Sequence, residues 1–182
     1  TWTAHEPFAR AILTLVEIRT DEGVVGIGEV ASGPQPAVCD MLRMITPAIL
    51  GMDPRGHVDI WDRMLSITTP RRGALFNGDG LPPPLPRHLR PQFLAAMAGI
   101  DIALWDIKAK SVALPVFRLM GGTRTDVFTY AVGGMYAKDD TPGSCARELG
   151  DFAKRGFKAV KLKSGGMSLE KEVARIRAVK SS

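Results

Sequence analysis

The stretch after Gly122 constrains the fold of this chain most strongly, because its rhythm admits few architectures. Val127 to Val132 reads as a strand, built from β-branched and aromatic residues. Thr141 predicts a helix N-cap with Pro142 in the first turn. Cys145, Leu149, Phe152 and Ala153 then recur on one face until Gly156. Phe157 to Lys163 reads as a second strand, and Ser168 opens a helix running through Val173, Ile176 and Val179. Strand, helix, strand, helix is the pattern of parallel strands with covering helices. Two such repeats neither close a barrel nor complete a doubly wound sheet, so the chain reads as truncated at Ser182.

Before Gly122 the rhythm is different. Arg10 to Thr20 and Val24 to Val30 are apolar runs separated by Asp21-Glu22-Gly23, which predicts strand, tight turn, strand. Val38, Met41, Leu42, Ile45 and Ile49 follow Pro34 and Pro36 at helical spacing. Asp53-Pro54 reads as the start of a second helix with Val58, Trp61, Met64 and Leu65 on its apolar stripe. From Thr68 to Pro91 the prolines and glycines sustain neither helix nor central strand. So long a loop is either a functional segment or a bland insertion. Helical spacing returns with Phe93, Met97, Ile100 and Leu104 to about Lys110, and a short turn after Pro115 stops at Gly121-Gly122. An antiparallel front end followed by βα repeats implies two domains.

Composition narrows the function classes. Hydrophobic residues make up 45% and charged residues 24% of the 182, which excludes wholesale disorder. No run approaches the roughly 18 apolar residues of a membrane span. The N-terminus has no basic-then-apolar signal pattern. Cys39 and Cys145 are too few for a disulfide framework or a Cys-rich zinc site. A cytosolic, metabolic setting is expected. The net charge of +5 falls wholly beyond residue 120, which raises the question of nucleic acid. There the basic residues interleave with Glu148, Asp151, Glu170 and Glu172 at helical spacings, and a solvated amphipathic surface is the expected reading.

The chemistry-bearing feature is Lys161-Leu162-Lys163, closing the second strand ahead of Ser164-Gly165-Gly166. Side chains alternate along a strand, so Phe157, Ala159, Lys161 and Lys163 share one face, with the two lysine stems roughly 6.6 Å apart. If both enter a closed site, repulsion and desolvation favour a neutral amine, which a general base requires. The spacing alone equally suits two solvated lysines on a polar strand.

Other motifs are weaker. Gly26-Ile27-Gly28 lacks the third glycine of a dinucleotide fingerprint and reads as a glycine-rich strand end. Ser32 does not sit in a nucleophile elbow. His5, His57 and His88 have no metal-ligand spacing. Asp101 and Asp106 point to different helix faces and suit structural roles, and Met41, Met44, Met64, Met97 and Met120 suit the core.

Several blocks together resemble one family. Gly99-Ile100-Asp101-Ile102-Ala103-Leu104-Trp105-Asp106-Ile107-Lys108-Ala109-Lys110, then Leu114-Pro115 and Leu119-Met120-Gly121-Gly122, resemble the helix and exit of the enolase-superfamily capping domain, in the mandelate racemase/muconate lactonizing branch. Thr20 to Glu29 resembles that domain's hairpin, and Gly156 to Lys163 its second barrel strand. The likeness spans essentially the whole chain. It implies an α+β capping domain at 1–125 lacking its first strand, followed at 126–182 by the first two βα units of a truncated (β/α) barrel.

By resemblance, Lys163 is the base that removes a proton α to a carboxylate, and Lys161 favours its neutral form and helps hold the carboxylate. Mg²⁺ stabilises the resulting enediolate in such enzymes. Its carboxylate ligands would fall beyond Ser182, so no metal ligand is assigned, and the 182-residue chain alone is expected to be inactive. Trp2, His5, Phe8 and Ser32 fall where the family's specificity loops lie and are candidates for touching substrate.

The foremost expected function is a fragment of an acid-sugar dehydratase. Racemisation or epimerisation and cycloisomerisation share its first step. A non-catalytic assembly or binding module is the reading of another class, and a nucleic-acid binder would show steep salt dependence. A small carboxylate partner, no nucleic acid, no membrane and a homo-oligomeric full-length protein are expected.

Overall fold

The computed structural model describes residues 12–31, 33–69, 81, 84–138 and 140–182. These form two compact units, 12–123 and 124–182.

The first unit opens with an antiparallel hairpin, β1 (Thr14–Arg19) and β2 (Val25–Val30), in which Thr14 faces Val30 and Arg19 faces Val25. The turn closes through Gly23 N–H donating to the Thr20 carbonyl at 3.1 Å. Gly23 adopts φ +81°, a left-handed conformation that a side chain rarely tolerates. Helix α1 (Gln35–Ile49) buries Val38, Met41 and Ile45, the expected stripe. Helix α3 (Arg90–Ser111) buries Phe93, Met97, Ile100 and Leu104 and lies across the hairpin. A four-residue helix, α4 (Val116–Leu119), ends the unit ahead of Gly121 at φ +84°.

The glycines of β2 set the distance between sheet and helix. A Cβ on Gly28 would come 1.9 Å from the Gly99 carbonyl oxygen, and one on Gly26 2.1 Å from that of Ala103. No nucleotide loop is involved; the backbone of α3 simply packs against that of β2. Both obstacles are helix backbone and cannot swing aside. Gly28→Ala is therefore expected to lower unfolding stability by about 3 kcal/mol, measured as a shift of the urea midpoint. Asp106 has the structural role anticipated for it. Its Oδ2 accepts from Ile27 N–H at 2.9 Å and from Lys110 Nζ at 2.6 Å, closing the edge of β2.

Three expectations in this unit are corrected. Helix α2 (His57–Ser66) starts behind Gly56, not at Asp53-Pro54. Asp53 Oδ1 instead accepts from Arg55 N–H at 3.0 Å, and Gly56 N–H bonds to the Asp53 carbonyl, a turn that competes with capping. On the stripe of α2, Met64 is buried and Trp61 and Leu65 pack against the core as expected, joined by Ile60, while Val58 is 60% exposed. Met120 is exposed as well, since α4 is too short to bury a face.

The loop from Thr68 is tied down at its described positions. Leu81 and Leu85 are buried in the core, Leu85 N–H donates to the Ile67 carbonyl, and Arg90 Nη2 donates to that of Thr68. A 3₁₀ turn at Arg87–Leu89 then leads into α3, which begins at Arg90 and holds Pro91 in its first turn.

The second unit has β3 (Ala131–Gly133), α5 (Pro142–Lys154), β4 (Val160–Leu162) and α6 (Leu169–Lys180). The two strands pair in parallel, Ala131 opposite Val160 and Gly133 opposite Leu162. Thr141 caps α5 as expected, its Oγ1 accepting from Ser144 N–H while Ser144 Oγ accepts from Thr141 N–H. Both strands are shorter than their apolar runs predict. Phe128, at 72% exposure, precedes the ladder, because apolar composition signals burial but a strand also needs a pairing partner.

Candidate active site at the end of the second parallel strand

The face occupied by the two lysines follows from the packing of β3. A Cβ on Gly133 would meet Leu149 Cδ2 at 2.7 Å and Phe152 Cε2 at 3.0 Å, so this side of the pair faces α5. Leu162, opposite Gly133, shares that side. By alternation Val132 and its partner Lys161 occupy the other face, and Lys163 follows Lys161. Val132 is 45% exposed there, Lys161 is exposed and Lys163 is half-buried. Among the described residues neither ammonium has a hydrogen-bond or ion-pair partner. Trp2, His5, Phe8 and Ser32 lie outside the described residues.

The backbone at Lys163 is held from two sides. Its N–H donates to the Gly133 carbonyl at 3.1 Å, and its carbonyl accepts from Arg175 Nη1 at 3.2 Å. Arg175 is 1% exposed. Its Nη2 donates to the Gly134 carbonyl at 2.8 Å and lies 3.2 Å from Asp140 Oδ2. Its Nη1 lies 3.3 Å from Glu172 Oε2. The guanidinium also stacks over the Tyr136 ring, 4.4 Å from the centroid.

Glu172 holds the turn that follows. Its Oε1 accepts from the N–H groups of Gly165, Gly166 and Met167, each at 3.1 Å, and from the Tyr136 hydroxyl. Gly166 N–H is shared with Tyr136 Oη at 2.9 Å. One buried cation thus bridges the carbonyls at the ends of both strands, and one buried carboxylate gathers three consecutive amides.

This cluster escapes a reading of local pattern. The interleaved charges predict a solvated face for Glu172, and the apolar residues along α6 are Val173, Ile176 and Val179. The fully buried positions are Glu172 and Arg175 instead, while Ile176 is exposed. The available signal was their i, i+3 spacing just after a glycine-rich turn.

Burial raises the Glu172 carboxyl, but the Tyr136 hydroxyl, the Met167 amide and the Arg175 charge together outweigh it. The net position is below its ordinary value of 4.5. Burial and the same carboxylate push the Tyr136 hydroxyl upward, and burial raises the Cys145 thiol near Arg175. A carboxyl depressed on folding adds stability that is fully present above its unfolded value and is lost as pH falls through the folded one. Thermal melting of the chain is therefore expected to weaken on acidification below about pH 4.5, and Glu172→Gln to flatten that acid limb.

A groove of about 860 Å³ lies wholly in the first unit between β1, the end of α1 and α3. Neither lysine lines it. Its charged residues are largely paired with one another, as in Arg19 with Glu17 and Arg55 with Asp53.

Residues 2–121 match the sequence family described as mandelate racemase / muconate lactonizing enzyme, N-terminal domain. The chain belongs to this family. It is 30% identical over 172 residues to arabinonate dehydratase of Saccharolobus solfataricus, covering 92% of this chain and 41% of that protein. It is 33% identical over 149 residues to D-galactonate dehydratase of Xanthomonas campestris, covering 80% of this chain and 33% of that protein. Among solved structures, the 3,6-anhydro-D-galactonate cycloisomerase of Zobellia galactanivorans aligns with a TM-score of 0.70 at 30% identity. That alignment covers 93% of this chain and 42% of the cycloisomerase. The chain thus spans well under half the length of these relatives.

The antiparallel hairpin followed by helices is the architecture of the capping domain in the mandelate racemase group. Enzymes of the enolase superfamily are generally Mg²⁺-dependent. Among the described residues no three His, Cys, Asp or Glu side chains gather to hold a metal ion. Among the same residues no helix is long and apolar enough to cross a membrane.

Proposed function

We propose that this chain supplies the capping domain and the basic half of the active site of an enzyme that removes a proton α to a carboxylate. The foremost substrate class is an acid sugar and the foremost outcome dehydration, in a cytosolic setting. The observation that carries the reading is the position of Lys161 and Lys163. Lys161 lies by register on the face of the parallel pair opposite α5 and Lys163 follows it just past the strand, in a chain whose residues 2–121 match the family.

Lys163 acts as the base. Its neutral amine accepts the α-proton, and the electron pair left on carbon moves toward the carboxylate. Lys161, two residues back along the same segment, helps hold the carboxylate as an ammonium. The names of the dehydratase relatives support an acid-sugar substrate. The cycloisomerase neighbour favours a second reading, in which the same proton abstraction leads to ring rearrangement or, with a second acid, to racemisation.

The discriminating experiment incubates the full-length enzyme with a panel of sugar acids in deuterated water. It follows deuterium at the α-carbon and the appearance of a 2-keto product. Dehydration predicts the keto acid, whereas exchange without it points to racemisation. Absence of α-exchange with any carboxylate would reject the enzymatic reading. The non-catalytic module would then be the alternative.

A further inference from the structure

Lys163 stands at a strand end, where ladders fray, yet both of its backbone polar groups are engaged. Its N–H is held by β3 and its carbonyl by a guanidinium buried to 1% exposure. The next residues, from Ser164 to Met167, leave the strand through Gly165 at φ +95° and are held by one Glu172 oxygen. Nothing in proton abstraction consumes these groups. Their bonds terminate on the backbone that carries the base, on both sides of it.

We infer that Glu172, Arg175 and Tyr136 are positioning residues for Lys163, acting through its carbonyl and the 165–167 turn and touching no substrate. The inference rests on the reading of Lys163 as base. Arg175 links the ends of β3 and β4 by bonding the carbonyls of Gly134 and Lys163 simultaneously, so the two strand ends cannot move apart independently. Lysine is a point charge and cannot span both carbonyls as a planar fork does. Tyr136 orients the carboxylate: its hydroxyl donates to Glu172 and accepts from Gly166 N–H. Losing either device lets the amine wander from the reacting carbon while leaving the substrate's own contacts in place.

The test uses the full-length enzyme and measures α-proton exchange in Lys163→Ala, Tyr136→Phe and Arg175→Lys side by side, with rates expressed per folded molecule. Tyr136→Phe keeps the ring over the guanidinium and preserves folding even if Arg175→Lys does not. The expected result is a kcat lower by about 10-fold for Tyr136→Phe and about 100-fold for Arg175→Lys, with KM within about twofold of the parent. Unchanged kcat in folded Tyr136→Phe, or a loss that disappears after correction for folded fraction, would overturn the positioning role. If that happens while Lys163→Ala is inactive, the base assignment stands alone. If Lys163→Ala exchanges normally, the base assignment falls and the positioning role falls with it.

Discussion

Lys163→Ala in the full-length enzyme is expected to lose α-proton exchange by about 10²- to 10⁴-fold, the range that a positioned general base contributes. Alanine keeps the backbone bonds to Gly133 and Arg175, both of which use main-chain atoms of residue 163. The side chain is only half-buried and makes no hydrogen bond or ion pair among the described residues, so its removal leaves no orphaned partner. Stability should therefore stay within about 0.5 kcal/mol of the parent, as for surface changes generally. The measurement is deuterium wash-in at the substrate α-carbon, followed by NMR, beside a urea titration. Exchange at the parental rate would remove Lys163 from its role. A fall in activity that merely follows lost stability would also count against it.

The second large effect is on folding. Arg175→Met is expected to destabilise the 124–182 unit by about 3–5 kcal/mol, because removing one partner strands buried charges. Glu172 and Asp140 would lose their cation, and the carbonyls of Gly134 and Lys163 would lose a donor. The pair itself is no proof of stabilisation, since burying both charges is costly. The prediction concerns the uncompensated state. Urea unfolding of Arg175→Met, Glu172→Gln and the double variant checks it. The double variant should cost less than the sum of the singles, because the second change removes the charge that the first left stranded. Strict additivity would mean that the two side chains do not act as a unit.

Much of the architecture is legible in residue order. Asp21-Glu22-Gly23 between two apolar runs specifies the hairpin, since only a residue tolerant of positive φ closes that turn. The Phe93 to Leu104 spacing specifies α3, and Thr141-Pro142 specifies the start of α5. The lysine pair is equally readable, because alternation along a strand places both on one face whatever surrounds them. The start of α2 is not legible in the sequence, because Asp53 can either cap a helix or close a turn onto Arg55, and nothing local separates the two. The ends of the two short strands are not legible either, because Phe128 and its apolar neighbours resemble a strand whether or not a ladder reaches them.

Period and turn chemistry, which act over a few residues, are carried by the chain's order alone. From them come the hairpin, the helices, the change to βα repeats and the lysines at a strand end. The buried cluster behind Lys163 belongs to another class of information. Glu172 and Tyr136 are 36 positions apart, and Arg175 and Gly134 are 41 apart. Charged residues on a helix read as solvated until folding brings them partners. Because desolvating a charge is favourable only when partners converge, the burial of Arg175 and Glu172 is a property of the assembled unit, not of any segment within it.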